Sequence, residues 1–402
     1  MDRDLSELNQ STQPIPTLRV FNNWEAVPLG WYAACESRAL KRGKALTLRL
    51  CDQQIVLFRG YDGVVRALDA FCPHMGLNLA LGRVEGNELR CKFHGWKFNG
   101  RGACTEVPCD EAVPRKAKLE SYAAEEQYGF VWVYPANEAP EPVFVPFALR
   151  GKKLAALPME VLDRKCHPHV PMVNGMDAQH VKAVHNIDLV PTARTTWHAD
   201  NCLEIYLGGP VPAHGLTGRL INWVLGGYYA YSNIFIDGTM ALLNTVKDVK
   251  LFGRYQAPEA YLIFSLKYAN RGKAEILPIA VTERRAGLLG WLTTKLMLRL
   301  TKAGFDRLKS DEGEWFFENL RFRADALLPH FDRPIATLIQ FINKQKLSKW
   351  SKTPRAVTNA RAAEAPEDFY FLTPPPPPVP QPTIDVAAAA TPQAASTSPV
   401  KA

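Results

Sequence analysis

The chain has 402 residues, is 47% hydrophobic and carries a formal net charge of +8. That is enough apolar sequence to bury a large core or two, which excludes a small disulfide-stapled module and predicts two domains with flexible ends. The eight cysteines form no framework of a small secreted domain and the N-terminus reads without a signal peptide, so reduced thiols in a cytoplasmic setting are expected.

Residues 1–23 read as a disordered leader, polar and proline-containing without periodicity. From Trp24 the pattern changes. Runs at 45–52, 54–60 and 64–70 are short, apolar and β-branched, punctuated by Gly and Asp, and predict antiparallel strands. Tyr128–Tyr134 adds another, so an all-β domain is expected over 24–136. Pro135, Pro140 and Pro142 then mark an extended linker.

Inside this domain, Cys72 and His74 are separated by sixteen residues from a second pair, Cys91 and His94. Two thiolates on one iron and two imidazoles on the other hold a Rieske [2Fe-2S] cluster. Zinc also accepts two Cys and two His, but zinc fingers place the cysteines on a hairpin and the histidines on a helix. Here each short loop carries one of each, which favours the cluster. Cys104 and Cys109 read as ordinary free thiols.

In the region 137–352, Asp177, His180 and His185 fall in the order D-x2-H-x4-H. Two imidazoles and a carboxylate that leave positions open suit ferrous iron. His180 and His185 stand about 140° apart on a regular helix. A helix here must bulge or end near Val184 if both bind one metal. His167 and His169 form a rival pair; Pro168 and Pro171 predict an extended strand there, without ligands. A third carboxylate is sought among Asp311, Glu312, Glu314 and Glu318.

Runs at 203–209, 228–237, 240–249 and 260–270 predict an antiparallel sheet forming a pocket wall. Leu220–Ile236 is uncharged, yet Asn222, Gly226, Gly227 and Asn233 interrupt it and it is too short for a membrane span. Over 287–309, Leu288, Leu292, Leu296 and Leu300 recur at four-residue spacing, with Lys295, Arg299 and Lys302 on another face. This predicts a helix packed on the sheet with a solvated basic side. A basic amphipathic helix also suits peripheral contact with an anionic membrane. Residues 353–402, including Pro374–Pro378, read as a Pro/Ala-rich disordered tail.

The Cys72–His94 stretch resembles the C-x-H-x16-C-x2-H motif of the Rieske non-haem iron oxygenases. Neither loop carries the further cysteine usual in respiratory-chain Rieske proteins. Asn174, Asp177, His180 and His185 resemble the N-x2-D-x2-H-x4-H motif of the same family's catalytic domains. Asp311-x3-Trp315 looks like the late helix of its monooxygenase-type members. The resemblance covers about residues 25–350, and only its metal motifs are specific.

The resemblance implies an α+β chain. An N-terminal all-β Rieske domain precedes a catalytic domain whose curved antiparallel sheet is covered by helices. It implies a [2Fe-2S] cluster on Cys72, His74, Cys91 and His94, and mononuclear Fe(II) on His180, His185 and Asp311. Glu312, Glu314 and Glu318 are then solvated charges, Asn174 supports the site, and Asp177 bridges cluster and iron histidines of neighbouring subunits in a homotrimer. No dinucleotide or plant-type ferredoxin motif is found, so electrons come from a separate ferredoxin or NAD(P)H-dependent reductase. The +8 charge and pI near 9.0 would attract an acidic ferredoxin; nucleic acid is not an expected partner. The implied activity is O2-dependent hydroxylation, demethylation, desaturation or oxidative cyclisation of a small, hydrophobic organic substrate. The alternative is a non-catalytic electron carrier with a degenerate second domain.

Overall fold

Runs of β-branched and aromatic residues separated by Gly, Asp and Asn produce antiparallel sheets in both halves of the chain. The structure, a computed structural model, describes residues 19–352 apart from 110–111, 186–191, 211–218, 220–221, 225, 245–246, 248–249, 257, 314, 323–325 and 329–331. Most of the predicted leader, the predicted tail and Glu314 lie outside the described residues.

In the first half, β1 (Tyr32–Glu36), β2 (Ala45–Leu50), β3 (Gln53–Arg59) and β4 (Val65–Asp69) precede a smaller unit of β5 (Arg83–Glu85), β6 (Glu88–Arg90), β7 (Lys97–Phe98) and β8 (Cys104–Glu106). β9 (Ser121–Gln127) and β10 (Phe130–Tyr134) return to the first sheet, whose order is β1-β10-β9-β4-β3-β2; β5 to β8 form a sheet in chain order. Tyr128 does not belong to the strand predicted for it. Tyr128 and Gly129 have φ of 57° and 84° and form the tight turn between β9 and β10, the backbone that two-residue hairpin turns require.

The second half holds β11 (Leu154–Pro158), β12 (Leu162–Arg164), β13 (Thr192–Ala199), β14 (Cys202–Pro210), β15 (Tyr228–Ile236) and β16 (Met240–Asn244). A small hairpin, β17 (Lys250–Leu251) and β18 (Tyr255–Gln256), leads to β19 (Ala260–Tyr268) and β20 (Ala274–Glu283). The sheet runs β11-β20-β19-β16-β15-β14-β13, with β12 also on β20. The pairings are antiparallel throughout.

Both faces of the central strands of this sheet are buried, while edge strand β13 is exposed over residues 193–199, and β15 accordingly reads as a nearly continuous apolar run. Phe235, Ala241, Leu266 and Ile276 pack beneath helices α1 (His169–Asn174) and α5 (Arg333–Lys344). On the opposite face Ile234, Ile236, Leu242 and Ile279 pack against Trp31, Phe130 and Trp132 of the first half. Further helices are α2 (Ala178–Ala183), α3 (Gly287–Glu312) and α4 (Trp315–Asn319).

Three local expectations differ. Val20 and Phe21, placed in the leader, are fully buried in the core shared with α1 and α5; two apolar residues sufficed to anchor the chain there. His167–His169 is not a strand: Pro168 is helical (φ −54°, ψ −28°) and α1 begins at His169. The missing N–H of Pro171 falls in the first turn, where a helix has no use for it. The leucines at 288, 292, 296 and 300 do not face the sheet either. They are exposed, while Thr294 and Thr301 are buried. Thr294 is held inward because its hydroxyl accepts from Arg285 N (3.1 Å) and donates to Gly290 O (2.8 Å).

Candidate functional site

Two loops of equal length present the four cysteine and histidine side chains. Cys72 N donates to Leu77 O (2.9 Å) and Gly76 N to Cys72 O (2.9 Å). In the second loop, Cys91 N donates to Trp96 O (2.8 Å) and Gly95 N to Cys91 O (3.1 Å). Gly76 and Gly95 take the left-handed backbone (φ 76° and 74°) that closes each loop. Arg90 braces the second loop: it donates to Gly95 O (2.6 Å) and pairs with Glu85 (2.7 Å) and Glu106 (2.9 Å). Sequence reasoning missed Arg90, whose only sequence signal is a position next to Cys91.

Cys72 and Cys91 are buried in the first-half core, whereas His74 and His94 are exposed. The two sulfurs interact with each other, and both cysteines are free rather than disulfide-bonded. Burial pushes the Cys72 thiol up to about 11. A thiolate there needs a bound cation to offset that desolvation. The imidazole rings are 4.5 Å apart, and Trp96 stacks flat on His74 at 4.5 Å. Two inner sulfurs and two outer imidazoles fit an asymmetric cluster.

The second group forms where α2 meets the end of α3. Asp177 caps α2, its Oδ1 accepting from Gln179 N (2.9 Å) and His180 N (3.0 Å). The helix stops at Ala183 with Val184 as its cap, as the spacing requires, and this lets His185 turn back toward His180. Their rings lie 4.9 Å apart and nearly perpendicular (88°). Asn233 on β15 donates to Gly175 O (3.2 Å), fixing the α1–α2 connection over the sheet.

Gly313 (φ 66°) ends α3 and places Asp311 and Glu312 in its last turn. The two acids separate. Glu312 Oε1 lies 3.3 Å from His180 Nε2 and 3.9 Å from His185 Nε2. Asp311 Oδ2 instead lies 3.4 Å from His185 Nδ1, and the carboxylate pairs with Arg307 at 3.1 Å. Among the described residues, His180, His185 and Glu312 form the group whose ligand atoms all fall within 4.8 Å. Adjacent helical residues point about 100° apart, so Asp311 and Glu312 cannot both face the same point. Glu312, expected to be solvated, faces both histidines.

These side chains fit a cation by two further observations. His180 Nε2 is buried without a hydrogen-bond partner among the described residues, a costly state that metal coordination removes. Two acids also sit at the negative end of a long helix dipole, where positive charge is stabilising. Asn174 donates to Glu312 Oε1 (3.2 Å) and holds the acid in place. His167 and His169 stay outside the group: His169 accepts from Asn22 N (3.3 Å) and lies 3.1 Å from Gly238 O. Their role is structural.

Next to this group lies a cavity of about 210 Å³. Its walls are Tyr229, Tyr231 and Phe235 of β15, Leu243, Phe264, Leu266 and Ile276 of neighbouring strands, and Phe305 and Leu308 of α3. His180, His185 and Glu312 also line it, together with Arg164, Asn233 and Lys309. Burial pushes the Tyr229 hydroxyl up to about 12, so it stays protonated as a hydrogen-bond donor.

Residues 30–123 match the family of Rieske [2Fe-2S] domains. A cholesterol 7-desaturase (nvd) of Bombyx mori is 33% identical over 174 residues, 40% of this chain and 36% of that protein. A 3-ketosteroid-9-alpha-monooxygenase oxygenase component of Rhodococcus rhodochrous is 35% identical over 115 residues, 28% of this chain and 30% of that protein. The match thus spans well under two thirds of these relatives. Pseudomonas putida NdmA in complex with caffeine has a similar fold, with a TM-score of 0.56 and 18% identity over 81% of this chain and 95% of that one. Dicamba monooxygenase with non-heme iron and dicamba aligns with a TM-score of 0.54 and 16% identity, covering 78% and 95%.

Proposed function

We propose that this chain is a Rieske oxygenase alpha component that uses O2 and electrons from a separate protein to oxidise a hydrophobic, sterol-class substrate. The observation that carries this reading is the intact His180, His185 and Glu312 group opening into an apolar cavity. A carrier with a degenerate second domain would need neither. The sterol class is suggested by the named activities of the two relatives and by the aromatic and aliphatic side chains that make up most of the cavity wall, beside polar Arg164, Asn233 and Lys309. Hydroxylation, demethylation, desaturation and oxidative cyclisation all fit the site.

In this reading Cys72, His74, Cys91 and His94 hold the cluster, and His180, His185 and Glu312 hold ferrous iron. Bound there, iron activates O2 and the cluster supplies electrons singly. The chain's own residues do the rest. Asp311 accepts from His185 at Nδ1 and fixes the ring so that Nε2 faces inward, as carboxylates behind metal-bound imidazoles do. Asn174 keeps Glu312 oriented. The aromatic and aliphatic walls bind the substrate by its apolar surface and exclude water from the reacting end.

His74 and His94 emerge amid exposed Phe71, Met75 and Phe93, an apolar rim suited to a neighbouring subunit. We therefore expect this rim to meet the next copy in a homotrimer, where Asp177 would link the histidines that would hold the cluster to those that would hold iron. The electron donor is a ferredoxin or an NAD(P)H-dependent reductase, in the reducing cytoplasm that the six cysteines outside the cluster, all without a disulfide, suit. Metal and sulfide analysis of the purified chain tests the reading: about three irons and two sulfides per chain are expected. Two irons and two sulfides would support the carrier instead.

A further inference from the structure

Helix α3 has its amphipathicity reversed. Toward the protein it buries Thr294 and Thr301, with Phe305 partly buried. Outward it shows Leu288 (76% exposed), Leu289, Leu292, Leu296 and Leu300 (57%). A helix facing only water carries polar residues on that side, and contiguous exposed apolar surface marks a contact site. The chemistry around the leucines identifies the contact. Residues 284–305 contain five basic side chains (Arg284, Arg285, Lys295, Arg299 and Lys302) and no acidic one. Lys302 pairs with Asp306 at the far edge of this stretch. Lys295 Nζ sits 3.8 Å above the ring of half-exposed Trp291, an aromatic–cation pair suited to the boundary between headgroups and acyl chains. Among the described residues no helix is long and apolar enough to cross a membrane.

We propose that α3 seats this protein on an anionic lipid surface, with the exposed leucines among the acyl chains and Arg285, Lys295 and Arg299 at the phosphates. An apolar stripe edged by cations matches such a surface in both its parts. An acidic protein partner would leave five leucines unmatched, and a second copy would bring like charges together. The placement has a consequence for the site. The same helix lines the cavity at Phe305 and Leu308 and ends at Glu312, and the last leucine of the stripe, Leu300, stands about 8 Å along the axis from Phe305, so a lipid-dissolved substrate would approach the cavity from that end of the stripe. This consequence rests on the oxygenase reading; the docking does not.

Flotation of the full chain with vesicles tests the docking without reading turnover. Vesicles of phosphatidylcholine with about 30% phosphatidylglycerol should carry the protein up the gradient, and pure phosphatidylcholine should carry much less. Leu292→Glu with Leu296→Glu should weaken binding by about tenfold or more, and Lys295→Glu with Arg299→Glu should do the same. Both pairs are surface changes, checked by unaltered melting and metal content. Absence of wild-type flotation, or flotation that survives both double substitutions, would overturn the proposal. So would leucine substitutions that split an oligomer by light scattering while the wild type does not float.

Discussion

Oε1 of Glu312 stands 3.3 Å from Nε2 of His180, an acid and a buried imidazole that face each other without a hydrogen bond. The adjoining Asp311 reaches the far nitrogen of His185 instead. In the proposed site the two acids have different roles, Glu312 as a ligand and Asp311 behind His185. Glu312→Gln should lower mononuclear iron content about tenfold or more and leave cluster iron and sulfide unchanged. Asp311→Asn should retain most of the iron and lose activity by about tenfold to a hundredfold, the range for a group that orients a metal ligand. Iron loss confined to the Asp311 variant would reverse the assignment.

Asp177 caps α2 through one oxygen. Asn is as good an N-cap as Asp, so Asp177→Asn should fold and load both centres. Under the proposed bridging role, electron passage between cluster and iron should slow greatly, because the variant lacks the carboxylate charge. Stopped-flow absorbance of the cluster during single turnover reads this step. An unchanged reoxidation rate and product yield would remove Asp177 from the path.

Burial lowers His169 to about 4 and holds His167 well below its ordinary value. Both are therefore neutral when folded and take up protons on unfolding between about pH 6.5 and 4. The unfolded state binds more protons in that window, so their contribution to stability is complete above pH 6.5 and is lost as pH falls. For His169 the loss is up to about 3 kcal/mol. Half-buried Asp237, raised by desolvation to about 6, acts with the opposite sign between about 6 and 4, and offsets part of the loss. Melting temperatures of wild type and His169→Gln should therefore converge as pH drops from 7 to 4.5. Parallel curves would show that His169 does not titrate on unfolding.

Trp132 is fully buried at the contact between the two halves, packed within the cluster that includes Ile234 and Ile279. Trp132→Ala should cost about 3–5 kcal/mol. Because that core spans both halves, calorimetry should show one lowered transition. A new, separate transition for the second half would mean the halves are energetically independent.

The pairings that the structure brings together were legible in local spacing: Cys72 with His74, Cys91 with His94, and His180 five residues before His185. The end of α2 near Val184 followed from that spacing and helical geometry. That Glu312 lies near both histidines while Asp311 lies at the other nitrogen of His185 was not legible: adjacent acids on a helix are told apart only by how α3 is turned toward α2. The leucine stripe of α3 misled for a related reason. Periodicity marks an apolar face but not what covers it. The Tyr128–Gly129 turn was hidden because its aromatic residue carries high strand propensity while occupying a left-handed conformation.

Single turnover tests the central claim most directly. The purified chain is reduced anaerobically, freed of reductant, and mixed with O2 and a sterol panel. The account predicts cluster reoxidation together with a sterol product whose mass has changed by oxygen insertion, hydrogen loss or demethylation, and no such product from Glu312→Gln. Reoxidation with every sterol recovered unchanged would contradict sterol oxidation, and wild-type yields from Glu312→Gln would contradict the assigned iron site.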